Sequence, residues 1–186
     1  MPRGQARRLL ACFVAVVLLV ALDLWTKSAV FSWLGDPRTR LEVDGCPYGH
    51  ERLVIIDDWL AFMLSLNPGM AWGLRLPPHI LVFGRIAAVL FLVVLLVRAG
   101  SGRKLLDSAL VLILAGAIGN LHDNLFMRAE GLPFGKVRDF IDVYFSGRPW
   151  HFPTFNVADS CITVGAVLLF LGSFFPAPQP DGAGGG

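Results

Sequence analysis

The chain has 186 residues, of which 55% are hydrophobic and 16% are charged, and its mean hydropathy is +0.62. A soluble domain of this length carries about a quarter charged residues, so the composition indicates a membrane protein and argues against a soluble fold. The net charge of only +2 gives no reason to expect a nucleic-acid partner, and three widely spaced cysteines without a CxxC pair argue against a disulfide framework or a metal site.

Four apolar segments predict four transmembrane helices, because each is close to the ~20 residues that cross about 30 Å of hydrocarbon. Lipid offers the backbone no hydrogen-bond partners, so these segments have to be helical. The expected fold is therefore an all-α polytopic membrane protein, arranged as a single domain over residues 1–186. The predicted helices cover approximately residues 9–29, 80–97, 105–121 and 157–175.

The first apolar segment has the basic start of a signal peptide, with Arg3, Arg7 and Arg8, but no small-x-small cleavage site follows it. The apolar run continues into Asp23 and Lys27, so it is expected to remain as a membrane anchor. These two charged residues are four apart and share one helix face. Two interpretations stay open for them: an ion pair at the membrane interface with Lys27 extended outward, or a role in shaping an active site.

Basic residues in the short segments predict the orientation. Residues 1–8 carry three arginines and residues 98–104 carry three more basic side chains, a density typical of the cytoplasmic side. Both termini are therefore expected in the cytoplasm. The longer connections, residues 30–79 and 122–155, are then extracytoplasmic.

Three smaller features lie along this frame. The run Leu53–Ile56 is rich in β-branched residues and predicts short strands resting on the membrane. Arg85 interrupts the second apolar segment, and we expect it at the outer interface; a deeper position requires a partner carboxylate. The Pro/Gly-rich tail at residues 176–186 is expected to be disordered.

An Asn-x-x-Asp pattern occurs twice, as Asn120–Asp123 at the close of the third apolar segment and as Asn156–Asp159 at the opening of the fourth. Residues three apart in a helix share one face, so each pair places an amide beside a carboxylate. Helix capping is a structural alternative for the second pair. Capping does not explain several acids beside hydrocarbon, since Asp139 and Asp142 lie between the two pairs.

Paired carboxylates can hydrolyse a peptide bond. Two acids held close together cannot both ionise cheaply, so one keeps a proton and polarises the scissile carbonyl while the other activates a water. Ser160 lies outside any GxSxG turn, and the four histidines show no HExxH spacing. Two other classes stay open: a small proton-coupled transporter or channel subunit that uses these acids as a relay, and a purely structural assembly protein.

Four stretches follow one another along the chain: Asp23–Lys27, Asn67–Gly73, Gly116–Asp123 with Asp139–Asp142, and Phe155–Ser160. In these motifs the sequence resembles the lipoprotein signal peptidases of bacteria, also called signal peptidase II. The resemblance implies four transmembrane helices with a small extracytoplasmic β-cradle between the first two. It also implies an aspartic endopeptidase of the inner membrane, without metal or cofactor, that cuts diacylglyceryl-modified prolipoproteins just before the lipidated cysteine.

Carried over residue by residue, the resemblance implies that Asp139 and Asp159 form the catalytic dyad. Gly69 is expected to keep the backbone free of side-chain bulk near the substrate. We expect the protein to act as a monomer in contact with membrane lipids and prolipoprotein substrates. The implied substrate-binding or site-supporting residues, besides Gly69, are Asp23, Lys27, Asn67, Asn120, Asp123, Asn156 and Ala158.

The sequence departs from the family in two places. Asn124 stands where an arginine usually follows the motif aspartate, and Arg128 is the predicted replacement. The segment before Asp139 is longer than typical, with Gly131–Gly135 as an inserted turn. This insertion makes Asp142 the alternative to Asp139 in the dyad.

Overall fold

The computed structural model describes residues 2–35, 52–68, 76–100, 103–127, 133–145 and 152–174. Gly69, Arg128 and the tail at 176–186 lie outside these residues, as do the expectations placed on them. The elements in chain order are α1 (Arg3–Gly35), β1 (Arg52–Ile56), β2 (Leu60–Asn67), α2 (Pro78–Arg98), α3 (Lys104–Phe126), β3 (Val137–Val143) and α4 (Val157–Gly172).

Within the described residues, three helices are long and apolar enough to cross a membrane by length and composition: α1, α2 and α3. The fourth, α4, is apolar but has 16 residues, about 24 Å at 1.5 Å per residue. The predicted all-α membrane fold is confirmed. α3 continues to Phe126 instead of closing at Leu121, because Asp123 and Asn124 in its last turns are buried against neighbouring elements.

α3 is the central helix and packs against α1, α2 and α4. Glycines allow α4 to approach α3 closely, as small residues do between helices in membranes. A Cβ at Gly116 would collide with the carbonyl of Ala158, and one at Gly165 would lie 2.6 Å from Cγ1 of Ile113. This close contact brings the start of α4 against the polar last turns of α3.

Arg8 ties three helices together at the opposite end of the bundle. Its Nε donates to Oδ2 of Asp107 in the first turn of α3 at 2.6 Å. Its Nη1 and Nη2 donate to the carbonyls of Ala99 and Leu96 at 2.8 and 3.0 Å, which satisfies backbone acceptors at the end of α2. Arg8 and Ala99 belong to the two basic segments, residues 1–8 and 98–104, that predict the cytoplasmic side.

The three strands form one antiparallel sheet in the order β1-β2-β3. β1 confirms the strand predicted at Leu53–Ile56. The third strand comes from the connection between α3 and α4, so the cradle is not confined to the segment between the first two helices. In the register of β2 and β3, Ser65 lies opposite Asp139, which places this acid next to the end of β2.

Candidate active site

The polar residues singled out in the sequence meet where α1, α3, β3 and the start of α4 converge. Asn120 and Asp123 are 3% and 0% exposed on one face of α3, Asp139 is 1% exposed on β3, and Asn156 is 0% exposed before α4. Asp159, in the first turn of α4, remains half-buried. The two acids proposed from the resemblance therefore lie in one site with different access to solvent.

Asn156 contacts both acids. Its Nδ2 donates to Oδ1 of Asp139 at 2.6 Å, and its backbone N donates to Oδ2 of Asp159 at 3.3 Å. The backbone N of Asp159 donates in return to Oδ1 of Asn156 at 2.8 Å, which completes a capping box at the start of α4. Capping, the structural alternative, is therefore present, and the capping residue also links the two carboxylates.

Asn120 holds the other side of Asp159. Its Nδ2 donates to Oδ1 of Asp159 at 2.7 Å, and its Oδ1 accepts from Nζ of Lys27 at 3.0 Å and from Nδ2 of Asn156 at 3.2 Å. These contacts determine the orientation of the Asn120 amide, because its Oδ1 faces the Lys27 ammonium and its Nδ2 faces the Asp159 carboxylate. Each Asn of the repeated pattern contacts at least one of the two acids, Asp139 and Asp159.

Main-chain hydrogen bonds hold the two acidic segments side by side. The backbone N atoms of Phe140 and Ile141 donate to the carbonyl of Phe155 at 3.0 and 2.9 Å, and Phe155 N donates back to Ile141 O at 3.1 Å. Since Phe155 immediately precedes Asn156, this bridge sets the position of the α4 start relative to β3.

Lys27 is completely buried between two carboxylates. Its Nζ lies 2.8 Å from Oδ2 of Asp23 and 3.4 Å from Oδ2 of Asp123. Oδ1 of Asp23 also accepts from the backbone N of Ala158 at 2.9 Å, so this acid binds the first turn of α4. The interpretation of an interfacial pair with Lys27 extended outward is wrong, because neither Lys27 nor Asp23 reaches the surface.

Arg138 is a site residue that the sequence reasoning missed. Its backbone N donates to Oδ2 of Asp123 at 3.0 Å and its Nη2 to Oδ1 at 2.8 Å, while its Nη1 reaches Ser28 Oγ at 3.2 Å. The available signal was a charged residue directly before Asp139, the acid expected to be catalytic. Its 15-residue separation from Asp123 gave no local spacing that pairs them.

The amide at Asn124, where the motif departs from the family, has an arginine beside it. Its Oδ1 accepts from Nη1 of Arg85, and its Nδ2 donates to the carbonyl of Gly135 at 2.8 Å. The described hydrogen-bond partner of Arg85 is an amide, not the carboxylate expected for a deep arginine, and its place at the outer interface stays a prediction.

The environment of Asp139 favours the protonated acid. Burial, and then the charge of Asp159, raise the pKa of Asp139 to about 7, although hydrogen bonds from Asn67 and Asn156 and the charge of Lys27 act in the opposite direction. Asp142 is also buried, but its odd spacing from Asp139 puts it on the opposite face of β3. Of the two candidates on this strand, only Asp139 is bound by Asn156 in the contacts described above.

Among the described residues, no cluster of three or more His, Cys, Asp or Glu side chains is arranged to hold a metal ion. Asp23 and Asp123 are paired with Lys27 or Arg138, whereas Asp139 and Asp159 accept hydrogen bonds from amides.

Comparison with known proteins gives consistent matches. Residues 15–175 match the family model described as signal peptidase (SPase) II. Lipoprotein signal peptidases of Pseudomonas fluorescens and Streptomyces coelicolor are 36% and 38% identical over 155 and 188 residues, which cover 81% and 97% of this chain and 86% and 77% of the relatives. That of Pseudomonas putida is 39% identical over 151 residues, covering 78% of this chain and 84% of the relative.

Two solved structures, each described as a bacterial membrane enzyme, have a similar fold. One has a TM-score of 0.67 and 25% identity, covering 88% of this chain and 87% of the other. The second has a TM-score of 0.65 and 26% identity, covering 88% and 92%.

Proposed function

The chain belongs to the signal peptidase II family, and we propose that Asp139 and Asp159 are the catalytic pair with which it removes signal peptides from prolipoproteins. It is an aspartic endopeptidase of lipoprotein processing. The single observation that carries the assignment of the pair is Asn156, which donates one hydrogen bond to each carboxylate. The transporter alternative has no support in these comparisons.

The two acids take different parts in the proposed mechanism. With a pKa of about 7, Asp139 carries the proton that polarises the scissile carbonyl. Asp159, whose carboxylate oxygens accept from Asn120 and from the Asn156 backbone, is the ionised base that takes a proton from water.

The proton transfers balance over one turnover. Water oxygen bonds to the carbonyl carbon as Asp159 takes its proton and Asp139 gives a proton to the carbonyl oxygen. In the second step the carbon–nitrogen bond breaks, Asp159 delivers its proton to the leaving amine, and Asp139 recovers a proton from a hydroxyl of the tetrahedral intermediate. Both side chains return to their starting protonation.

The other polar residues position this pair. Asn67 and Asn156 hydrogen-bond to Asp139, and Asn120 hydrogen-bonds to Asp159. Asp23 holds the α4 start through the backbone N of Ala158. Gly69 and Arg128 stay predictions, as substrate contact and as replacement for the family arginine.

The proposed orientation places the catalytic pair near the extracytoplasmic face of the inner membrane and both termini in the cytoplasm. The support is the basic density of residues 1–8 and 98–104, which lie at the end of the bundle where Arg8 and Asp107 pair, away from the acids. We further propose that residues 1–186 form one peptidase domain that works as a monomer in contact with lipid, since both acids of the pair and the amides that bind them come from one chain.

The test is cleavage of a defined substrate. Purified protein in detergent micelles is incubated with a prolipoprotein carrying the diacylglyceryl group, and mass spectrometry is used to find the product cut before the lipidated cysteine. The same precursor without the lipid is the control. An intact lipidated precursor would refute the proposed function, and equal cutting of the unlipidated precursor would refute the substrate class.

A further inference from the structure

Arg138, directly before Asp139 on β3, is held by its main chain and by its side chain. It is 7% exposed, and both its backbone N and its guanidinium bind Asp123: N donates to Oδ2 at 3.0 Å and Nη2 to Oδ1 at 2.8 Å. Its carbonyl accepts from Nδ2 of Asn156 at 3.4 Å. Successive side chains of a strand point to opposite faces, so a guanidinium bound to α3 fixes the direction in which Asp139 points.

The partner of Arg138 is connected by direct contacts to the second acid. Oδ2 of Asp123 lies 3.4 Å from Nζ of Lys27, and the same ammonium donates to Oδ1 of Asn120 at 3.0 Å. Nδ2 of Asn120 donates in turn to Oδ1 of Asp159 at 2.7 Å. Since Lys27, Asn120 and Asp123 are all buried, the position of Asp159 depends on the carboxylate that Arg138 binds.

These contacts close a ring around the two acids. On one side Asn156 joins the acids directly, since its side chain binds Asp139 and its backbone N binds Asp159. On the other side the path returns to Asp139 through the peptide bond that follows Arg138. Without the guanidinium, only the backbone N of residue 138 would still bind Asp123 among the contacts described here. The polar ring consists of the two acids, Asn156 on one side, and Arg138, Asp123, Lys27 and Asn120 on the other.

We propose that Arg138 is a positioning residue of the reaction: by closing the polar ring it holds Asp139 in the orientation towards Asp159 that catalysis requires. The inference rests on the proposed function, since it takes these two acids as the catalytic pair. The structural alternative is that Arg138 only neutralises the buried Asp123. Removing both charges together would then restore the protein, because a buried ion pair can often be replaced as a whole without loss.

The first experiment measures kcat and KM of prolipoprotein cleavage for Arg138→Met and Arg138→Lys. We expect kcat of Arg138→Met to fall at least about tenfold with KM nearly unchanged, because a misplaced catalytic group slows the chemistry and leaves binding intact. Arg138→Lys should be intermediate, since lysine keeps the charge but cannot bind a carboxylate through two nitrogens. Lys136→Met is the matched control: among the described residues Lys136 has no hydrogen bond or ion pair, so both constants should stay at the wild-type values.

The double variant Asp123→Asn/Arg138→Met separates positioning from charge neutralisation. Its unfolding temperature should return towards that of the wild type, but its kcat should stay as low as that of the slower single variant, because the polar ring remains open. Recovery of kcat together with stability would overturn the inference. A loss equal to the product of the two single effects would also overturn it, since Arg138 would then act independently of Asp123. If Arg138→Met alone is not recovered folded, the double variant takes its place, and a wild-type kcat would refute the inference.

The infrared band of the Asp139 carboxylic acid gives a measurement that does not require cleavage. It is isolated below about pH 7, where Asp139 keeps its proton, as the difference between each protein and its Asp139→Asn counterpart. The band frequency depends on the hydrogen bonds to the acid, so a shift in Arg138→Met, or in Arg138→Lys where methionine is not tolerated, supports the inference. An unchanged band refutes it. If the wild type does not cleave, the proposed function fails, whereas this band still decides whether Arg138 positions Asp139.

Discussion

The side-chain amide of Asn156 donates to the carboxylate of Asp139 at 2.6 Å, although the two residues belong to different elements and are 17 positions apart. The same residue caps α4. Stability of the helix and alignment of the acid therefore depend on one side chain through different atoms. Oδ1 serves the cap and Nδ2 serves Asp139, so the two roles can be separated by substitution.

Asn156→Ser is expected to keep the cap and lose the hydrogen bond to Asp139, since serine is a good N-cap but too short to replace the amide. We expect its unfolding temperature to stay close to that of the wild type while kcat falls about tenfold, the equivalent of one hydrogen bond. Asn156→Ala loses both roles and should cost about 1 kcal/mol of stability in addition. Thermal unfolding and cleavage kinetics of the two variants test this prediction. Equal kcat values for Asn156→Ser and the wild type would contradict it.

Asp139→Asn and Asp159→Asn should each reduce cleavage to below about one hundredth, because each removes a proton donor or acceptor from the reaction. Both proteins should remain folded, since asparagine preserves the shape of the side chain. Asp142→Asn is the matched control on β3 and should be milder, because Asp142 lies on the opposite face of the strand. A greater loss in Asp142→Asn than in Asp139→Asn would reassign the catalytic acid.

The raised pKa of Asp139 predicts that the stability of the protein and the rate of cleavage both depend on pH, in different pH ranges. Between its ordinary value of 3.8 and about 7, the unfolded chain has lost this proton while the folded protein retains it. Stability from this group therefore falls as pH rises through that window and is constant above it. Asp139→Asn should lack this part of the decline in thermal unfolding experiments.

Cleavage should fall above about pH 7 as Asp139 loses the proton that it donates to the carbonyl. The measurement is kcat/KM as a function of pH, which reports the titrating groups of the free enzyme. An unchanged rate well into the alkaline range would show that the proton of Asp139 is not needed in the rate-limiting step.

Gly119→Ala should reduce both stability and activity. A Cβ at this position would collide with the Asp23 carboxylate, which binds Lys27 and the backbone N of Ala158. Displacing Asp23 would release the first turn of α4 and with it Asp159. We expect a loss of about 1–3 kcal/mol in stability from such overpacking.

Gly84→Ala is the control for this substitution. Among the described residues, no atom beyond the adjoining backbone of α2 lies within 4 Å of a Cβ at Gly84, so the change should be neutral or stabilise α2 by up to about 1 kcal/mol. Unfolding temperature and specific activity of the two variants are compared directly. Equal behaviour of both alanine variants would mean that the contact with Asp23 is not tight in the membrane.

The helices and most of the site could be predicted because strong local rules apply to them. Apolar segments in lipid have to be helical, and an Asn-x-x-Asp pattern puts its side chains on one face whatever the rest of the chain does. β3 could not be predicted in this way. It is buried almost throughout, so Val137–Val143 shows no alternation of apolar and polar residues.

Contacts between residues that are distant in the chain also could not be predicted from the sequence. The pairing of Arg138 with Asp123 and that of Arg85 with Asn124 depend on how strand and helices meet, and no spacing within one element indicates either. A sequence shows that a buried charge needs a partner, but only tertiary structure selects it. For Arg85 the selected partner was an amide, which charge-pairing rules do not suggest.

The bridge between Ile141 and Phe155 has a consequence for how members of such a family diverge. Backbone hydrogen bonds between Ile141 and Phe155 hold the segment of Asp139 beside the segment of Asp159. The distance between the two acids therefore does not depend on the length of the connector between residues 145 and 152. Insertions or deletions in that connector should be tolerated by the chemistry, whereas a one-residue slip in the bridge itself should abolish it. Evolution is thus free to vary the length of this connector while the reaction geometry is inherited unchanged.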